Sequence, residues 1–221
     1  MAGSDGELFK WIKENLYTAV VCDILDGLGY RNQAMHQRLR PLDGDCCTIA
    51  GRARTFRWME VDYDADPPYG VEIEAMDSLK EGDVAVHSTD YAGTNAPWGE
   101  LMSTISKMKG VAGCICDSQI RDCLRIKAMK FPVFCAGIRP LDSKGRGLVV
   151  AYDVPVKCGE VTVDPGDIIF ADFDGVVAIP KGVETELLEA AKNKAQREDL
   201  SRKELLEGKT LREVFDKYGA L

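Results

Sequence analysis

The sequence predicts an α/β protein, and three observations carry that expectation. Through the middle of the chain, short apolar runs of strand length alternate with segments whose apolar residues recur every three to four positions. A Gly-Asp turn and an Asp-Pro-Gly-Asp turn each launch a strand-like apolar run. With 221 residues, 45% of them hydrophobic and 29% charged, the chain can bury about 70% of its unfolded surface and needs no disulfide or metal staple.

The elements follow in order. Leu8, Trp11 and Ile12 share one helical face. Thr18 then reads as an N-cap for a helix carrying Val20, Val21, Ile24, Leu25 and Leu28, stopped by Gly27 and Gly29. Residues 47–58 read as extended, and the acidic, Pro-containing stretch 62–69 as a surface loop. Gly82-Asp83 turns into a strand over 84–86. A helix over 99–108, a buried strand over 111–116, a helix over 122–129 and a strand over 131–135 come next. Cys114 and Cys116 alternate with Ile115 and so share one strand face. Residues 154–163 give strand material broken at Cys158-Gly159, and 168–179 read as a hairpin turning on Asp174-Gly175. A charged helix starts near Val183; Ser201-Arg202-Lys203-Glu204 and Thr210-Leu211-Arg212-Glu213 both match the capping box, which predicts two or three helices in this tail. No linker composition divides the chain. One domain over 1–221 is expected, with a core at about 15–180 and a C-terminal helical arm at about 183–221.

Composition excludes several functions. The 36 acidic against 28 basic residues give a net charge of −8, which disfavours nucleic acid and anionic membrane surfaces as partners. No apolar run approaches the ~18 residues of a membrane span. The acidic start, Met1 to Glu7, has no signal-peptide core. The eight cysteines form no C-x-x-C pair and have only His36 and His87 to join them, so they are expected to be free thiols of a cytoplasmic protein. The P-loop, nucleophile-elbow and H-E-x-x-H patterns are absent, as is a Gly-rich nucleotide loop for a methyltransferase. Both histidines read as structural or solvent-facing.

Chemistry concentrates in two segments. Gly99-Glu100-Leu101-Met102 opens a helix whose free amides and dipole suit a small carboxylate, and Gly99 allows close approach. Arg121-Asp122 follows a buried strand and precedes a helix, where α/β proteins keep their sites. Arg offers a planar fork for a carboxylate, Asp a hard oxygen for Mg²⁺. The plainer alternative stays open on these residues alone: Asp122 caps its own helix and Arg121 sits in a surface ion pair worth ~0–1 kcal/mol. Lys181 is the candidate for a Schiff-base mechanism.

The spacing of Glu100, twenty residues, then Arg121-Asp122 resembles that of the class II pyruvate aldolases related to 4-hydroxy-4-methyl-2-oxoglutarate aldolase, a family that also contains the regulator of ribonuclease E activity A. The resemblance extends to the helix from Thr18 to Gly29, to Gly51-Arg52-Ala53-Arg54-Thr55, Glu81-Gly82-Asp83-Val84 and Phe131-Pro132-Val133-Phe134, and to Asp164-Pro165-Gly166-Asp167 and Asp172 to Pro180, over about residues 15–208. It implies a layered β/β/α sandwich resembling the phosphohistidine swivelling domain, with flanking N- and C-terminal helices. It implies a homotrimer or homohexamer with the active site between subunits. The implied activity is metal-dependent retro-aldol cleavage of a 4-hydroxy-2-oxo acid to pyruvate, with oxaloacetate decarboxylation by the same enolate chemistry. Carried over, Asp122 is the direct ligand of Mg²⁺ or Mn²⁺, and Arg121 binds the pyruvyl group. Glu100 holds water on the ion, with Glu198 of a neighbouring subunit as the matching C-terminal glutamate. Gly99, Leu101 and Met102 supply the carboxylate pocket. The alternative within the resemblance is a non-enzymatic regulator that binds a ribonuclease. Glu100 departs from the Asp frequent in aldolases, and Ser118 from a usual Gly.

Overall fold

The computed structural model describes residues 5–90 and 93–219, without the side chains of 193 and 195–199. The helices are α1 (Asp5–Asn15), α2 (Thr18–Gly27), α3 (Gly70–Ser78), α4 (Glu100–Met108), α5 (Cys123–Ala128), α6 (Glu184–Leu206) and α7 (Leu211–Tyr218). The strands are β1 (Arg40–Pro41), β2 (Ile49–Glu60), β3 (Asp83–Ser88), β4 (Gly113–Ile120), β5 (Val133–Ile138), β6 (Gly147–Tyr152), β7 (Val156–Cys158), β8 (Val161–Val163), β9 (Ile168–Asp172) and β10 (Gly175–Ile179).

The α/β expectation holds. One mixed sheet runs β1-β5-β4-β3-β2-β9-β10, with β6 also paired to β2 and a separate β7–β8 hairpin. The strands β2, β3, β4 and β5 are mutually parallel. Their two-residue period assigns each side chain to a layer. Val84, Val86, Ile115 and Phe134 point to one face, where they meet Val156, Cys158, Val161 and Val163 of the small hairpin. Ala85, Cys114, Cys116, Val133 and Cys135 point to the other, against Ala75 and Met76 of α3 and Ile126 of α5. Cys114 and Cys116 therefore share a face as expected, and all eight cysteines are free. A third cluster seats Phe9 and Ile12 of α1, Val20, Val21, Ile24 and Leu25 of α2, and Leu187 and Ala191 of α6 on β9 and β10.

The resemblance motifs are largely struts. Arg52 clamps α1 to α6 through Asp5 at 2.8 Å and Glu184 at 2.7 Å. Arg54 bridges Asp83 at 3.1 Å and Asp153 at 2.7 Å. Gly51 is required because a Cβ there would stand 2.3 Å from the Gly82 carbonyl oxygen.

Several local expectations are corrected. Thr18 is the first helical residue of α2 rather than its N-cap, which is Tyr17. The backbone N–H and hydroxyl of Thr18 both donate to the Asp172 carboxylate at 2.7 Å, a charged acceptor that outcompetes a local hydroxyl. The strand β4 continues past the expected end at Cys116 through Asp117 to Ile120, with a register irregularity after Cys116. The β9–β10 turn is Phe173-Asp174, since Gly175 already pairs with Asp172. The helix α6 runs unbroken through Ser201, because strong helix formers surround it and no Gly or Pro interrupts. The Thr210–Glu213 capping box is real and starts α7. Helix α3 and strand β6 were not foreseen.

No helix among the described residues is long and apolar enough to cross a membrane. His87 is structural: it is fully buried, stacks on Phe56 at 4.2 Å between centroids and accepts a 2.9 Å hydrogen bond from Trp58. Burial pushes its pKa down to about 3, so the ring is neutral.

Candidate active site

The site forms at the carboxyl ends of the parallel strands β3 and β4, where open α/β sheets place ligands. The chain leaving β3 returns at Trp98, whose backbone bridges to Ile120 at the end of β4. The Arg121 amide donates to the Trp98 carbonyl at 2.9 Å. Trp98 is anchored from within, fully buried, with its indole N–H donating to Ser103 at 2.7 Å. This clasp sets Gly99 and the start of α4 beside Arg121 and Asp122.

All six expected residues of this chain, Gly99, Glu100, Leu101, Met102, Arg121 and Asp122, line one cleft of about 700 Å³. The side chain of Glu198, in α6, lies outside what is described. Lys181 is exposed and does not line the cleft, and the described lining contains no lysine.

Asp122 does not cap its own helix. It occupies the cap position of α5 in the left-handed region, φ 58°, without a side-chain cap bond. Its Oδ2 instead accepts from the Glu100 amide at 3.2 Å, across the cleft floor at the N-terminus of α4. The left-handed conformation is uncommon for a residue with a side chain and is held where surroundings enforce it. Arg121 lies between two carboxylates, with Nε 3.8 Å from Asp122 and Nη2 3.4 Å from Asp142. Neither contact is a short bidentate pair, so the guanidinium keeps donors for a ligand.

Gly99 is a steric requirement of this arrangement. A Cβ on it would stand 2.8 Å from Asp122 Oδ2 and 3.3 Å from Arg121 Cγ. Gly99→Ala is expected to fold, since flexible side chains yield, but to displace both functional groups and lower turnover about 100-fold; circular dichroism beside a kinetic assay checks this.

The structure adds residues that the sequence reading passed over: Tyr69, Glu72 and Asp142. Tyr69 donates to Asp142 at 2.7 Å, and the Ser143 amide donates to Asp142 at 2.8 Å. Burial opposes the Asp142 charge, but the Tyr69 hydroxyl, Arg121 and the backbone amides outweigh it and hold the pKa below the ordinary value. Glu72 is 3% exposed, and its Oε1 has no hydrogen-bond partner. Burial, then the nearby Asp142 charge, raises its pKa to about 8. Folded Glu72 thus holds a proton up to about 8, whereas the unfolded group releases it near 4.5. The folded state binds more protons within that window, so stability falls as pH rises through it. Glu72→Gln is expected to match wild type at pH 4 and to exceed it by about 2–4 kcal/mol at pH 9 in urea unfolding. Equal stabilities at pH 9 would contradict the buried-carboxyl assignment.

As a metal site the cleft is open. Among the described residues no three His, Cys, Asp or Glu side chains cluster to enclose an ion. One direct carboxylate, Asp122, with Glu100 on the neighbouring helix turn, fits a hard cation that keeps most of its water and takes its remaining oxygens from substrate. It does not fit a closed zinc site.

An α/β fold with an arginine, an aspartate and a helix N-terminus at the ends of parallel strands defines a candidate small-anion site. The chain belongs to the Aldolase/RraA family, whose model matches residues 18–178. A protein of Halalkalibacterium halodurans named "Putative 4-hydroxy-4-methyl-2-oxoglutarate aldolase" is 36% identical over 177 residues, 80% of this chain and 79% of that one. The structure of RraAS2 of Streptomyces coelicolor, described as an unusual member of the RNase ES inhibitor RraA protein family, superposes with a TM-score of 0.80 at 30% identity, covering 91% of this chain and 98% of that one. A structure described among novel cellulases from gut-associated microbes gives a TM-score of 0.85 at 29% identity, covering 90% and 88%.

Proposed function

We propose that the protein is a divalent-metal-dependent carbon–carbon lyase that cleaves a 4-hydroxy-2-oxo acid to pyruvate, and that oxaloacetate decarboxylation is open to the same site. The observation that carries this reading is the convergence of Arg121, Asp122 and the α4 N-terminus, twenty residues apart in sequence, on one cleft.

In the retro-aldol step the C4 hydroxyl loses its proton, the C3–C4 bond breaks, and its electron pair moves onto the pyruvyl ketone oxygen as an enolate. C3 then takes up a proton to give pyruvate. The backbone amides of Leu101 and Met102, in the first turn of α4, receive the substrate carboxylate. Arg121 lays its guanidinium against the pyruvyl oxygens and stabilises the enolate charge as it develops. Glu100 orders water beside the substrate hydroxyl. Asp122 would hold Mg²⁺ or Mn²⁺, which when bound supplies Lewis-acid stabilisation of the enolate and lowers the pKa of water. His87 is sealed in the core and His36 does not line the cleft, so the acid–base work falls to other groups.

Leu101, Ile105 and Met108 form an exposed apolar stripe on α4, and Leu124 of the contacting helix α5 is exposed as well. It supports a homotrimer or homohexamer in which a neighbour covers the cleft and brings Glu198 to it. The single-domain reading with a subunit-contacting arm, the likeness to a swivelling domain, and a cytoplasmic setting consistent with free thiols belong to the same proposal. The likeness to RraAS2 favours one second reading, a regulator that binds a ribonuclease. The test is pyruvate release from 4-hydroxy-4-methyl-2-oxoglutarate or oxaloacetate with Mg²⁺. Release abolished by EDTA supports the lyase. Release that survives EDTA and is trapped by borohydride supports a lysine mechanism. No release from any 2-oxo acid supports the regulator.

A further inference from the structure

The pyruvyl end occupies Arg121, Asp122 and the start of α4, which leaves the wall built by α3 and Asp142 without a task. Its charge is one-sided. Arg121 is the one cation lining the cleft among the described residues, against Asp77, Glu100, Asp122 and Asp142. Arg121 is committed to the pyruvyl group, so a second substrate carboxylate would face Asp142, fixed as an anion by Tyr69, Ser143 and Arg121.

Glu72 is the group on this wall with unused capacity. It is 3% exposed and its Oε1 meets no partner. An unmade hydrogen bond on a buried polar group costs about 1–3 kcal/mol, and Glu72 borders the cleft, where a ligand can complete it. Near neutral pH the raised pKa, about 8, leaves this carboxyl protonated. It then offers one O–H to give and one carbonyl oxygen to receive, which is the complement of an alcohol. Ile73 and Met76 beside it supply apolar surface for a carbon chain.

Resting on the pyruvyl-enolate reading above, we propose that Glu72 is the specificity-determining residue for the far end of the substrate. The preferred substrate is then a 2-oxo acid with a single carboxylate and a neutral, hydroxylated far end, of sugar-acid type, with dicarboxylates such as oxaloacetate bound more weakly at the same site. A shallower pocket on the Arg121-Asp122 loop carries Arg125 and Arg139 and would serve a dicarboxylate that extended the other way, clear of Glu72.

Two unreactive ligands separate these outcomes, because they differ only at the terminus and lack the C4 hydroxyl that cleavage needs: 5-hydroxy-2-oxopentanoate and 2-oxoglutarate. Calorimetric titration of the full chain with Mg²⁺ at pH 7 is expected to show the hydroxy acid binding about tenfold tighter or more. Glu72→Gln, which keeps a neutral donor and acceptor, should preserve the ratio. Glu72→Leu, verified as folded by circular dichroism, should bring it towards one. Equal or tighter binding of 2-oxoglutarate by wild type overturns the proposal, and that ratio decides even if Glu72→Leu does not fold. An unchanged ratio in folded Glu72→Leu also overturns it. Exchange of pyruvate methyl protons with D₂O by wild type isolates the underlying reading. Exchange without ligand preference overturns the Glu72 assignment alone, whereas no exchange and no binding of either ligand overturns both.

Discussion

Asp122→Ala is expected to abolish pyruvate formation, with a loss of about 1,000-fold or more in kcat/KM in an assay of a 4-hydroxy-2-oxo acid with Mg²⁺. Among the described residues Asp122 is the one carboxylate that both reaches the α4 amide and faces the cleft from the β4 end, so its loss removes the expected metal ligand and loosens the helix start together. The effect should lie in function rather than folding. The Asp122 side chain is 44% exposed and makes no cap bond to α5, so the melting temperature should move little. Asp122→Asn keeps the acceptor for the Glu100 amide but not the charge. It should stay as inactive as Asp122→Ala if metal binding is the role, and recover most activity if helix capping is the role.

Arg121→Ala is expected to cost about 100- to 1,000-fold in kcat/KM, the range for removing one preorganised donor to a developing oxyanion. Arg121→Lys should recover only part of this, because an ammonium supplies charge without the planar fork. Neither change should destabilise the fold appreciably, since the Arg121 contacts at 3.4 Å and 3.8 Å are long and partly exposed. A kcat/KM for Arg121→Ala within about threefold of wild type would remove the arginine from the enolate scheme.

The parallel core and the side of the cleft that carries Arg121, Asp122 and the start of α4 were legible in the sequence. β3 is a short apolar run behind the Gly82-Asp83 turn, Arg121-Asp122 follows the apolar run of β4, and Gly99-Glu100 opens the helix between those strands. The opposite wall was not, and α3 shows why. Its Val71 and Ile73 are 38% and 54% exposed while Glu72 is buried, which inverts the pattern by which an amphipathic helix announces itself. Part of the inversion comes from lining a cleft, since Ile73 and Glu72 both border the ligand space. Asp142 sits in a turn whose Asp-Ser-Lys-Gly composition reads as an ordinary connection. The fate of Asp122 illustrates a second limit. Its position one residue before a helix favoured a local cap, and only the tertiary return of the chain at Trp98 brings the α4 amide within its reach.

The central claim is that this chain stabilises a pyruvyl enolate through a cation at Asp122. Proton NMR of pyruvate in D₂O tests it without knowledge of the aldol partner. The account predicts that wild type with Mg²⁺ exchanges the methyl protons for deuterium, that EDTA stops the exchange, and that Asp122→Ala does not support it. Exchange that persists at the wild-type rate in Asp122→Ala, or its absence from the metal-loaded wild type, would contradict the account.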